Sequence, residues 1–373
     1  MKKIKKIIII SSMLVTLLSL PNCDYIFGYH GKYDLYKDAI YLIDKDGDNI
    51  TNLIDIGHTI GTYDGGSPED FSWTLTQFTQ DGSKLIYSYF SWGLHINSLY
   101  SIDLNDNIKL LLTGELDVYL QVALPSISNL DSRIAFSVDI NYEGGYYDRF
   151  QDIYIVNSDA TGLANLTNTY KVDEMYPRFL PNGENIIFTS IDYTNVDTQY
   201  YIIQLNLNTA ILDTIAHNNK YPYNNLAPSP DGSKIFFGKS FGKAYPFFVM
   251  DKDGTNEIQL YSNVDIGRYY TFSSDGSKIA FSDYNYLYVM NTDGSGITQI
   301  ETSIVNPYFP IISHNGSQIL FSGPSITDSI YIINNDGSDE MGLHEGFLPA
   351  FSSNEERIAF SGYYFYKTVY YSE

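Results

Sequence analysis

Short apolar runs alternate with tight polar turns along most of the chain, and one segment of about 15 residues recurs in a fixed order. Each copy is an apolar strand, a polar turn and a second apolar strand ending in Phe or Tyr. Seven copies are centred on Gln80-Asp81-Gly82-Ser83, Asn129-Leu130-Asp131-Ser132, Pro181-Asn182-Gly183-Glu184, Pro230-Asp231-Gly232-Ser233, Ser274-Asp275-Gly276-Ser277, His314-Asn315-Gly316-Ser317 and Ser353-Asn354-Glu355-Glu356. Asp-Gly and Asn-Gly between apolar runs favour a hairpin, because glycine takes positive φ without a Cβ penalty and Asp or Asn bonds its own backbone.

A second hairpin follows each first one. Its strand reads apolar-Tyr-apolar-apolar, as in Ile40-Tyr41-Leu42-Ile43, Ile153-Tyr154-Ile155-Val156, Leu287-Tyr288-Val289-Met290 and Ile330-Tyr331-Ile332-Ile333, with weaker copies near Leu99, Tyr201 and Phe247. These strands are apolar on both faces, which suits sheets stacked face to face and not a sheet with one wet face. Two hairpins per unit give a four-stranded antiparallel sheet roughly every 40 to 50 residues. The prediction is an all-β fold, a β-propeller of seven blades, with six or eight as the alternatives. The chain starts near Asp38 with a second hairpin lacking its first and ends with a first hairpin at 348–361, so pairing of the N- and C-terminal strands closes the ring. Thr368–Tyr371 reads as one strand too many, replacing or flanking an N-terminal strand.

The stretches Ser229-Pro230-Asp231-Gly232-Ser233-Lys234-Ile235-Phe236-Phe237 and Val249-Met250-Asp251-Lys252-Asp253-Gly254-Thr255 resemble the WD40-like (PD40) repeats of the TolB-type propeller family. The resemblance covers nearly all of the chain after the N-terminal segment. It implies the propeller fold, and it implies little about activity, since such repeats occur in envelope scaffolds, in peptidase propellers and in some sugar lyases.

The N-terminus carries Lys2, Lys3, Lys5 and Lys6, an apolar run from Ile7 to Leu20, and then Pro21, Asn22 and the single cysteine, Cys23. This is the layout of a secretory signal. Leu20-Pro21-Asn22-Cys23 resembles a bacterial lipobox, which implies a lipidated Cys23 as the mature N-terminus. The expected organisation is a signal peptide over 1–22, a tether over 23–37 and one propeller domain over 38–373. Loss of residues 1–22 leaves 18 Lys and Arg against 44 Asp and Glu, a net charge of −26. A chain this acidic is repelled by phosphate backbones, which argues against a nucleic-acid partner. The expected address is the cell envelope, periplasm or surface, with membrane contact through the lipid alone and a monomeric state.

No catalytic set emerges, and no cofactor is expected. Gly238-Lys239-Ser240-Phe241-Gly242 matches the nucleophile-elbow pattern, but that chemistry needs a strand-to-helix turn and this stretch lies between two strands. Asp44, Asp46, Asp48 and Asp55 have the oxygen spacing of a calcium loop, making them a weak cation candidate. The same segment aligns with the hairpin at Asp251–Glu257, so an ordinary turn accounts for it. The six histidines are dispersed, none at zinc-ligand spacing.

Turns within hairpins fall on one face of a propeller and the other connections on the opposite face, where binding is favoured. The longer loops of that face are His58–Asp70, Ser91–Asn97, Asp139–Gln151, Asp192–Gln199 and His217–Tyr223. They carry Tyr63, Trp92, His95, Tyr142, Tyr146, Tyr147, Arg149, Tyr193, Tyr221 and Tyr223, the candidate partner-binding residues. Tyrosine and tryptophan give large contact area at low entropic cost. With 35 tyrosines in the chain, some of these simply cover blade edges. The expected function is noncatalytic capture of a protein or envelope polymer. The competing readings are a carbohydrate-active propeller enzyme of lyase or glycosidase type and a calcium-dependent adhesion module.

Overall fold

The computed structural model describes residues 32–63, 72–91, 96–113, 123–141, 149–239, 246–261, 270–283, 285–324 and 328–370. Among them are 28 strands and no helix. The chain opens with β1 (Lys32–Asp44) and β2 (Thr51–Tyr63). Blade 1 comprises β3 (Ser72–Phe78), β4 (Lys84–Ser91), β5 (Ile96–Asp103) and β6 (Lys109–Leu111); blade 2, β7 (Ala123–Ile127), β8 (Arg133–Asn141), β9 (Arg149–Asn157) and β10 (Ala164–Asn165). Blade 3 comprises β11 (Val172–Phe179), β12 (Asn185–Asp192), β13 (Gln199–Asn206) and β14 (Leu212–Asn218); blade 4, β15 (Tyr223–Pro228), β16 (Lys234–Lys239), β17 (Phe247–Asp251) and β18 (Ile258–Tyr261). Blade 5 comprises β19 (Tyr270–Phe272), β20 (Lys278–Ser282), β21 (Leu287–Asn291) and β22 (Thr298–Ile300); blade 6, β23 (Tyr308–Ile312), β24 (Gln318–Gly323), β25 (Ser329–Asn334) and β26 (Met341–Glu345). The closing blade takes β27 (Phe347–Phe351) and β28 (Arg357–Tyr370) from the C-terminal end and has the order β2-β1-β28-β27. The fold is therefore a seven-bladed propeller, closed by its two ends as the sequence predicts.

The closing ladder is longer than the sequence suggests. β1 pairs with β28 from Asp44 opposite Arg357 to Lys32 opposite Tyr370. Residues 32–37, expected as tether, are strand, and Thr368–Tyr370 is the far end of β28 flanking β1, not a separate strand. His58–Tyr63, expected as loop, likewise continues β2, with Tyr63 opposite Tyr33. A strand persists as long as its partner offers a ladder: β28, from the other end of the chain, extends β1, and the extended β1 in turn carries the end of β2.

The inner turns follow one chemistry. In blade 4, Asp231 Oδ1 accepts the Ser229 hydroxyl at 2.5 Å and the Ser233 amide at 3.0 Å, while Gly232 N–H donates to Ser229 O at 2.8 Å. Gly232 has φ 69°, which glycine adopts freely. The closing blade keeps this turn without glycine, with Glu355 at φ 57°.

Both-face apolarity has a direct structural meaning. Seven buried clusters lie one at each interface between neighbouring blades. On β24, Leu320 packs against Tyr41 and Phe360 of the closing blade, whereas Ile319 and Phe321 pack against Val289 of blade 5. Each central strand thus contributes to two cores, and the ring stabilises every blade from both sides.

First strands of neighbouring blades contact one another at β7–β11, β11–β15, β19–β23, β23–β27 and β27–β3. Several carry a bulge, seen as register shifts at Met175/Arg178, Asn224/Ala227, Tyr308/Ile311 and Phe347/Ala350. There Tyr176, Asn225, Phe309 and Leu348 adopt positive φ, and Pro177, Pro310 and Pro349 follow three of them.

Candidate functional site

The most distinctive polar arrangement lies where blades 2 and 3 meet, on the face opposite the short hairpin turns. Phe150, at the start of β9, stands edge-on to Tyr170 with centroids 5.7 Å apart and lies 6.1 Å from the tilted ring of Tyr193. Tyr170 belongs to the 166–171 connection between blades 2 and 3, and Tyr193 to the 193–198 loop within blade 3. Both remain open to solvent, 38% and 43% exposed. Lys171 Nζ sits 5.1 Å from the Tyr170 centroid, and the Tyr193 amide donates to Lys171 O at 3.1 Å, tying the two loops together.

Beneath the rings lie three acids. Asp173 accepts the Tyr193 hydroxyl at 2.9 Å and the Gln151 amide at 2.9 Å, which fixes the exposed ring to the strands below it. Burial raises the Asp173 carboxyl above the usual range, opposed by those two donors. Deeper still, the fully buried Asp152 accepts from Asn165 Nδ2 at 2.7 Å and from the Thr169 amide at 3.1 Å. The same Asn165 amide group also donates to the Tyr154 hydroxyl at 3.2 Å.

Glu174, 5% exposed, accepts the Thr169 hydroxyl through Oε1, and its Oε2 has no donor at hydrogen-bonding geometry. Thr169 bonds both buried carboxyls, its amide on Asp152 and its hydroxyl on Glu174, which makes the two acids neighbours. Burial first, and the neighbouring Asp152 second, push Glu174 up to about 8, against the pull of the Thr169 and Thr167 hydroxyls.

The predicted residues fall in three groups. Cys23, Trp92, His95, Tyr142, Tyr146 and Tyr147 lie outside the described residues, and for Tyr63 and Arg149 only the backbone, at strand ends, is described. Tyr193 is part of the patch above. Tyr221 lies in the short 219–222 connection, where its amide donates to Asn218 Oδ1 at 2.8 Å and Lys220 sits 5.2 Å from its ring. Tyr223 needs correction, because it is 3% exposed on β15 and packs edge-on against Phe237 at 5.5 Å, so it is a core residue of the interface between blades 3 and 4.

Three of the four calcium-like acids, Asp44, Asp46 and Asp55, accept local hydrogen bonds through their carboxyls. Asp46 accepts the Asp48 amide at 3.2 Å, Asp44 accepts Asn49 Nδ2 at 2.7 Å, and Asp55 accepts Asn52 Nδ2 at 2.8 Å. The blade 4 hairpin repeats the scheme, with Asp251 accepting Asn256 Nδ2 at 2.6 Å. Among the described residues no group of three or more His, Cys, Asp or Glu is placed to hold a metal ion.

One ladder position recurs on all seven inner strands, occupied by Gln77, Ser126, Arg178, Ala227, Thr271, Ile311 and Ala350. Ser126 and Thr271 use it to join blades, accepting the Phe179 and Ile312 amides of the next inner strand, each at 3.0 Å. At the step after Arg178 the corresponding residue is Pro228, which has no amide to offer. Arg178 Nη1 instead donates to Pro177 O at 2.9 Å, and burial holds its guanidinium below its ordinary value. This position carries no histidine and no carboxylate in any blade.

Sequence reasoning missed Phe150, Tyr170, Asp152, Asp173 and Glu174. The one local signal was Asp152, an acid placed directly before the apolar strand Ile153–Val156.

The sequence matches no protein-family model and no curated protein. Solved structures share the architecture. An oligogalacturonate lyase from Vibrio parahaemolyticus is 13% identical over 90% of this chain and 98% of its own, with TM-score 0.57. A prolyl endopeptidase is 9% identical over 84% of this chain and 47% of its own, with TM-score 0.60, so this chain spans about half of that protein. TolB from Acinetobacter baumannii is 15% identical over 79% of this chain and 63% of its own, with TM-score 0.48. The likeness to the lyase and the endopeptidase carries the fold and no activity.

Proposed function

We propose that this chain is a noncatalytic, exported propeller that captures a protein or envelope polymer through the loop face of its early blades. The observation that carries this reading is the solvent-open pair Tyr170 and Tyr193, held by Phe150 and by the bond from Tyr193 to Asp173. Exposed aromatics fixed in advance lose little entropy on binding, which is what a hot spot needs. The reading includes Trp92 and His95, which lie between β4 and β5 in the sequence, Tyr142, Tyr146 and Tyr147, between β8 and β9, and Arg149 at the start of β9.

The signal-like N-terminus and Cys23 support export and anchoring by lipid. A photoreactive side chain placed at Tyr193 should crosslink a partner in cells, and one placed at Asp336, in a hairpin turn of the opposite face, should not. Crosslinking from Asp336 alone would refute the assignment of the face. Separately, Cys23→Ser should move the protein from the membrane to the soluble fraction, and unchanged fractionation would remove the lipid anchor.

A further inference from the structure

We propose that Glu174 keeps its proton in the closed seam and donates it toward the neighbouring Asp152, and that this proton latches the 166–171 connection and so keeps Tyr170 and Tyr193 in their fixed arrangement. The inference rests on the binding face proposed above and adds its regulation. Two neighbouring carboxyls, both buried and both bonded by Thr169, cannot both be charged without a large desolvation cost, and a proton on Glu174 removes that cost and gives its Oε2 a bond to make.

The latch reaches the surface through short links. Thr169 bonds both acids at once, with its amide on Asp152 and its hydroxyl on Glu174. Tyr170 follows directly in the chain, and Lys171 O receives the Tyr193 amide. Thr167 of the same segment and Asn165, at the end of β10 just before it, add further bonds to Asp152. Loss of the proton places a second negative charge in the seam, and the segment bonded to both acids is the part that can open to admit water.

Other titratable groups face the seam. Tyr154 on β9 is bonded to Asn165, Asp173 on β11 is raised by its own burial, Tyr193 is bonded to Asp173, and Lys171 lies over Tyr170. Tyr154 and Tyr193 are both raised further by burial, so they keep their protons throughout the neutral range. Asp173 already has two donors, so it does not require that proton.

In the closed form Glu174 holds its proton up to about pH 8, whereas once exposed it releases it near 4.5. Opening therefore releases one proton between those limits and becomes up to about tenfold easier per pH unit, levelling off above pH 8. The test is amide hydrogen exchange at Thr169 and Tyr193, measured on the whole chain from pH 5.5 to 7.5 and corrected for intrinsic rates. The readout needs no ligand, so it succeeds or fails independently of the binding assignment. Protection at both amides should fall at least about tenfold across that range in the parent and stay level in Glu174→Gln, which mimics the protonated form. Flat protection in the parent would overturn the proposal whether or not the variant folds. So would an unchanged pH response in Glu174→Gln, or a response abolished by Asp173→Asn instead.

Discussion

Tyr41 and Phe360 stack with centroids 5.3 Å apart and planes inclined by 19°, although they come from opposite ends of the chain. They are register partners on β1 and β28, and both belong to the core shared with blade 6. Closure is thus a packed hydrophobic interface as well as a hydrogen-bonded ladder.

Truncating the Tyr41 ring should accordingly be expensive. Tyr41→Ala is expected to lower stability by about 3 kcal/mol, the usual range for emptying a large aromatic site in a core. Removing residues 32–63 takes two strands, β1 and β2, from the closing blade and should abolish the single cooperative transition. Thermal unfolding of both proteins checks this, and a truncated chain melting within a degree or two of the parent would place the closure elsewhere.

Two glycines in equivalent outer turns should respond differently to alanine. A Cβ on Gly254 would lie 1.9 Å from the carbonyl oxygen of Ile215 on β14, whereas one on Gly47 would lie 3.6 Å from Leu343. Both residues have positive φ, so both substitutions are strained, by about 1 kcal/mol each. Gly254→Ala must also push blade 4 away from blade 3, and it should cost at least about 2 kcal/mol more in chemical denaturation. Equal midpoints for the two variants would contradict the close packing of these blades.

Ser132 offers the converse change. It has φ 55° in the inner turn of blade 2. Ser132→Gly should stabilise the chain by about 0.5 kcal/mol, relief of the left-handed penalty outweighing the added chain entropy. A lower denaturation midpoint would mean that entropy dominates at this turn.

The architecture was legible because its determinants are local. Asp231-Gly232 and Asn315-Gly316 specify turns whatever lies beyond them, and apolar residues on both faces of Ile330–Ile333 require cover on both sides. The complementary half-blades at the two ends followed from counting hairpins. Lys32–Lys37 was missed as strand because its ladder with β28 depends on residues remote in sequence, and His58–Tyr63 because it pairs with that extension of β1. Tyr223 looked like a loop anchor because nothing around it encodes the Phe237 ring that covers it. The acids of the seam could not be singled out among 44 Asp and Glu. Asp152 and Glu174 become distinctive only when Thr169 is seen to bond both.

Stability should depend on pH with a definite sign. The folded-state pKa of Glu174, about 8, exceeds its ordinary value of 4.5, so between these limits the native chain binds more protons than the unfolded chain. The stabilising contribution is complete below about 4.5, declines as pH rises and is gone above about 8. Asp173, raised for the same reason, adds a decline of the same sign starting from lower pH. Glu174→Gln should flatten the melting temperature between pH 5.5 and 8 and make the variant more stable than the parent at pH 8. A parent whose melting temperature rises over that interval would contradict the buried protonated state of Glu174.

The most direct measurement on the binding face is the affinity of the purified chain for the partner crosslinked at Tyr193. Parent, Tyr170→Ala/Tyr193→Ala and Asp336→Ala, a turn variant of the opposite face, are compared at one pH after circular dichroism has shown that all three are folded. The double variant should bind at least about 30-fold more weakly, the loss expected when an aromatic hot spot worth about 2 kcal/mol is removed, and Asp336→Ala should match the parent. Parent-like affinity in the double variant, together with a loss in Asp336→Ala, would contradict the placement of binding on the loop face of blades 2 and 3.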